Sequence, residues 1–94
     1  MPGNIEARLE RETRKWLIRI EKEVKAIRIT GDFDRKKVEP VIENINAYIS
    51  DCRHFLEKSD LINAFEAVVY AWGILETCQH LGIIGKGGHN QSSS

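Results

Sequence analysis

Two pairs of residues, Asp51 with His54 and Glu76 with His80, have the spacing that brings a carboxylate and an imidazole together on one helical face. The first matches the acid-x-x-His pair of bundle di-metal sites. Such a site also needs the pair repeated on a second helix and further inward carboxylates. His54 projects opposite the apolar stripe of its segment, and the two pairs fall on different faces and levels. No metal site is therefore expected. Nucleophilic catalysis needs an activated Ser or Cys beside a base, and the chain has three histidines, one of them near its C-terminal end, with no such nucleophile in a sharp turn. No glycine-rich loop carries the Lys-Ser/Thr signature of a phosphate cradle. With no catalytic residue and no cofactor indicated, the sequence points away from an enzyme. Glu76, near Trp72 and Val69 at the edge of an apolar face, is either a buried, perturbed acid or a solvated one beside Gln79 and His80. The solvated reading is preferred, because Glu is almost never buried unless paired.

Cys52 and Cys78 both fall on predicted apolar faces, without a CxxC or Cys/His ligand spacing. Free buried thiols are expected, and they suit a reducing compartment. The start MPGNIEARLERE is polar and lacks a signal-peptide core, and no apolar run approaches the ~18–20 residues of a membrane span. A cytoplasmic protein that avoids membranes is the expectation.

The net charge is zero but unevenly placed. Residues 1–37 carry eleven Lys/Arg against seven Asp/Glu, and residues 38–94 carry three against seven. Docking of the basic part on the acidic part is the simple explanation. Arg8, Arg11, Lys15, Arg19 and Lys22 fall in one sector of the first helix, a row that could follow a nucleic-acid backbone. Glu10 with Arg14 and Glu21 with Lys25 have the spacing of ordinary solubilising pairs, and no aromatics alternate with the cations as a single-strand binder would want. A solvated face is the preferred reading, with nucleic acid as the alternative.

These residues are positioned by three helices. Residues 59–82 repeat apolar side chains at Leu61, Phe65, Val68, Trp72 and Leu75, alternating steps of four and three. Ala64, Ala71, Cys78, Ile62 and Val69 widen the stripe past half the circumference, so this segment should be the most buried helix. Its polar strip holds Asn63, Glu66, Tyr70, Gly73 and Thr77. A mid-helix glycine costs ~1 kcal/mol relative to alanine, so close packing of a neighbour at Gly73 is expected. The first helix carries Ile5, Leu9, Trp16, Ile20, Val24 and Ile27, flanked by Leu17 and interrupted by Thr13. Asn4 is its expected cap and Gly31 the left-handed residue that ends it. The second carries Val38, Ile42, Ile45, Ile49, Cys52 and Leu56, with Asp32 or Asp34 as cap. Pro40 sets its expected start near Glu39. Ser59 or Asp60 caps the third.

The fold class expected is all-α, an up-down-up antiparallel three-helix bundle with helices at about 4–29, 39–58 and 60–81. Residues 1–84 make a single helical domain and residues 85–94 a flexible glycine/serine tail. The motifs Phe55-Leu56, Lys58-Ser59-Asp60-Leu61, Asn63-Ala64-Phe65-Glu66, Tyr70-Ala71-Trp72-Gly73 with Leu75, and Leu81-Gly82 resemble a small archaeal family known as domain of unknown function 357. The resemblance covers about forty residues well and the preceding helix loosely. It implies a short helical cytoplasmic protein without an assigned activity, and it transfers no site residue.

The functional expectation is a non-enzymatic interaction module, self-associating or docking on a protein partner. Trp16, Leu17 and Ile18 in succession cannot all be buried by one helix face, which makes them a candidate contact patch. Asn63, Glu66, Tyr70 and Gly73 form the second candidate. A nucleic-acid-binding protein using Arg8, Arg11, Lys15, Arg19 and Lys22 is the competing class.

Overall fold

The computed structural model describes residues 2–29 and 33–85. Three helices, α1 (Pro2–Lys25), α2 (Arg35–Glu57) and α3 (Leu61–His80), are joined at one end by two short strands, β1 (Arg28–Ile29) and β2 (Ile84–Gly85). Trp72 bonds to Trp16, and Gln79 to Glu23. These pairs share one sequence offset, so α1 and α3 run parallel with α2 antiparallel between their ends. The up-down-up bundle is the observed architecture.

The core follows the four–three stripes. Leu17 and Ile20 of α1 meet Val38, Ile45, Ile49, Cys52 and Leu56 of α2 and Ala64, Ala67, Val68, Ala71, Leu75 and Cys78 of α3. Thr13, the break in the first stripe, is fully buried, and its hydroxyl donates to the Leu9 carbonyl at 2.7 Å. That back-bond removes the penalty of an unpaired buried hydroxyl.

The turn between α2 and α3 is built from the backbone. Ser59 adopts φ +59, its N–H bonds to the Leu56 carbonyl, and the Asp60 N–H bonds to that of Phe55. This is a Schellman motif with serine in the left-handed position. Asp60 then caps α3, its carboxylate accepting from the Asn63 backbone and, at 2.7 Å, from the Asn63 amide. Gly82, φ +78, closes α3 in the same way: Gly82 donates to Gln79 and Ile83 to Cys78.

Several boundaries differ from the expectations. α1 stops at Lys25 rather than Ile29, because residues 28–29 pair antiparallel with residues 84–85, Arg28 opposite Gly85 and Ile29 opposite Ile84. The β-branched Ile27 and Ile29 favour that extended exit. Its expected cap Asn4 lies within the first turn of a helix that begins at Pro2. Gly31 and Asp32 lie outside the described residues, as do residues 86–94 of the expected tail. α2 begins at Arg35, four residues before Glu39, with Asp34 accepting from the Lys36 N–H at 2.9 Å. That cap and the burial of Val38 together hold the turn ahead of Pro40, which lacks a donor inside the helix. Ile5 is 78% exposed, so the apolar stripe of α1 reaches past its partners.

The charge halves do not dock as anticipated. Among the described residues the interhelical ion pair is Arg53 of α2 with Glu21 of α1, the reverse of a basic α1 on an acidic remainder. The other pairs, Arg14 with Glu10, Lys15 with Glu12 and Arg35 with Glu39, lie within single helices. The membrane expectation is corrected on one count. By length and composition alone α3 is long and apolar enough to cross a membrane, with mean hydropathy 1.2. One seam of it packs against α1 and α2.

Candidate interaction face

Small side chains dominate the buried seam of α3: Ala64, Ala67 and Ala71 are each at most 5% exposed. They let the flanking helices approach closely. Val68 and Leu75 join the alanines, but three larger apolar side chains of the same helix go the other way. Ile62 is 75%, Val69 47% and Phe65 37% exposed, which corrects their expected place in the core. Gly73 lies among them. A Cβ built there meets nothing within 4 Å, so no neighbour packs close to it, contrary to expectation. The glycine leaves an open notch in an apolar surface.

On the α1 side this surface deepens into a groove of about 330 Å³ lined by Trp16, Phe65, Val68, Val69, Trp72, Gly73 and Glu76. Its wall is a tryptophan pair, with ring centroids 5.7 Å apart and planes at 87°. The Trp72 indole N–H donates to the Trp16 carbonyl at 3.1 Å, fixing the edge-to-face geometry. Arg19 and Lys15 lie over the Trp16 ring at 5.0 and 5.5 Å. Glu76 is exposed at the rim, as the solvated reading required. On the α2 side, Tyr70 tilts against Tyr48 with centroids 5.5 Å apart, beside a shallow hollow formed by Val69, Tyr70, Gly73, Ile74, Thr77 and Cys78.

The candidate contact residues divide accordingly. Asn63, Glu66, Tyr70 and Gly73 share one exposed strip on α3. Of the α1 trio, Ile18 is 55% exposed and Trp16 half-buried, whereas Leu17 is a core residue and is unavailable to a partner. One helix face buries Leu17 and turns Ile18 out, so the three form no continuous patch. The tryptophan wall was not legible in the sequence, because Trp16 and Trp72 each look like stripe residues until α1 and α3 are known to be parallel.

Arg8, Arg11, Lys15, Arg19 and Lys22 are all exposed. Lys15 pairs with Glu12 at 3.2 Å. That lysine's hydrogen bond and charge hold the Glu12 carboxyl below its ordinary range. Asp51, His54 and His80 are exposed, and His54 sets its ring against Phe55 with centroids 5.8 Å apart. Among the described residues no three His, Cys, Asp or Glu side chains come together as a metal site would need. Cys52 and Cys78 are buried free thiols. Burial, aided by the negative charge of Glu21, pushes the Cys52 thiol up to about 11, and burial raises Cys78 as well.

A family described as "Protein of unknown function (DUF357)" matches residues 15–84, from the tryptophan wall through the Ile84 strand. The chain belongs to this family. The crystal structure of DUF357 protein AF1782 from Archaeoglobus fulgidus is similar to it, with 47% sequence identity and a TM-score of 0.76 over 88% of this chain and 99% of that one. No curated protein matches the chain. The DUF357 match includes every residue of the α3 face and groove but leaves out Arg8 and Arg11.

Proposed function

We propose that this DUF357 chain is a non-enzymatic interaction module that receives another helix on the outward face of α3. The observation that carries the reading is the apolar outer face of α3, where Ile62, Phe65, Val69 and the Trp72 edge are left uncovered. Apolar side chains clustered around a notch mark contact surfaces, whereas scattered ones do not. A helix laid in a groove is read by anchors at successive turns, and Trp16, Trp72 and Phe65 supply the aromatic walls such anchors fill. The two buried thiols fit a reducing, cytoplasmic setting.

The test is site-specific photocrosslinking. A photoreactive residue at position 69, in the full chain mixed with extract of the source organism, should give discrete adducts. The same residue at the exposed position 50 of α2 should give none, and unlabelled chain should compete. Equal yields at both positions, or none at 69, would sink the docking reading.

Nucleic-acid binding remains the second reading because Arg8, Arg11, Lys15, Arg19 and Lys22 all reach solvent, and Arg11 and Lys22 have no ion pair among the described residues. Binding through this row should weaken steeply with salt. Charge reversal at Arg11, Lys15 and Lys22 should flatten the salt slope by roughly one per cation. Binding that survives the triple reversal removes α1 from consideration.

A further inference from the structure

Resting on that docking reading, we infer that the occupant of the α3 face is a second copy of this chain, related by a two-fold axis at Val69. Phe65, Val69 and Gly73 follow at intervals of four and so form one ridge across the outward face. Phe65 projects at one end, 37% exposed. Gly73 leaves a gap at the other, with nothing within 4 Å of a would-be Cβ. A two-fold interface sets a patch against itself with positions exchanged. A knob and a gap equidistant from one residue satisfy that requirement. Ridges of this type lie parallel to each other when helices cross at about 50°. In that crossing, with the two α3 helices reversed, Phe65 of each copy enters the Gly73 gap of the other and the two Val69 side chains meet.

Charge assigns the flanks. The Trp72 bond to Trp16 marks the α1 side of the ridge, and the Tyr70 contact with Tyr48 marks the α2 side. At 3.6 residues per turn Glu76 falls on the α1 side and Glu66 on the α2 side. The two-fold operation brings like sides together. Glu76 is thereby carried over the N-terminal half of α1 of the other copy, where Arg8 and Arg11 are exposed. Within its own chain Glu76 has no ion pair among the described residues. The two Glu66 carboxylates share the opposite edge, so neutralising them should tighten the pair.

Sedimentation velocity of the full chain, from about 1 μM to about 1 mM, tests this. Wild type should show a monomer–dimer equilibrium. Gly73→Gln places its side chain in open space within the protomer, so helix content by circular dichroism should persist while the dimer Kd rises about tenfold or more. Glu66→Gln should lower Kd. Glu76→Lys should raise it, and adding Arg11→Glu to that variant should restore association. A wild type that stays monomeric throughout, or a dimer indifferent to Gly73→Gln, overturns the inference. Monomeric protein that still crosslinks from position 69 to a different chain overturns the second copy but leaves the docking reading. A monomer without adducts ends both.

Discussion

Cys52 shows most directly how burial sets chemistry at the scale of one residue. Its side chain is fully buried in the core, and its thiol is pushed from 9.0 to about 11, first by burial and then by Glu21. Between those values the folded chain keeps a proton that the unfolded chain has lost. Unfolding then releases a proton, so the contribution is fully present below pH 9 and is lost as pH rises toward 11. The denaturation midpoint of wild type should therefore fall more steeply above pH 9 than that of Cys52→Ala. Parallel curves would show that the thiol titrates alike in both states. Trp72 makes the complementary case for a directed contact. Trp72→Phe keeps most of the ring but removes the indole donor to the Trp16 carbonyl, and should destabilise the fold by about 1–2 kcal/mol in urea titrations. Both residues were recognisable from sequence as apolar-face positions. Their partners were not, because Glu21 and Trp16 lie on α1, whose orientation no local pattern reports.

At the scale of elements, the helices were legible where stripe and cap agree. Asp60 and Asp34 are both candidates by residue type, and both cap. Legibility failed at Pro40, read as the start of α2, because the turn ahead of it is held both by the Asp34 cap and by Val38 in the core. It failed again at the end of α1, where a periodic Ile27 joins a strand whose partner is some fifty-five residues away. The two Schellman turns use one backbone geometry with different residues, which sets up a paired test. Ser59→Gly removes the strain of a side chain at φ +59 and should stabilise by about 0.5–1 kcal/mol. Gly82→Ala introduces that strain at φ +78 and should destabilise by about 1 kcal/mol. Thermal melts of the two variants should move in opposite directions; a shift in the same direction would mean that the turns are not equivalent.

The whole molecule is held at one end by its smallest element. Antiparallel α1 and α2, with α3 returning beside α1, bring residues 28–29 and 84–85 together, so the chain segments leaving the two parallel helices meet and pair. Ile84, 2% exposed, turns inward from that strand and joins the core. That pairing was not legible in the sequence, since two-residue strands leave no periodicity to detect. The α3 face stayed illegible for a related reason. A stripe wider than half a helix tells how much surface is apolar, and only the packing of α1 and α2 decides that the alanines go in and Phe65 and Val69 stay out. Ile84→Ala probes the end closure without touching that face. Loss of a buried isoleucine side chain should destabilise the bundle by about 2–4 kcal/mol. It should also raise amide exchange at Ile29 and Gly85 before it does so in α2. If exchange rises uniformly instead, the strand pair contributes only through the global fold. If stability barely moves, Ile84 covers the bundle end without holding it closed.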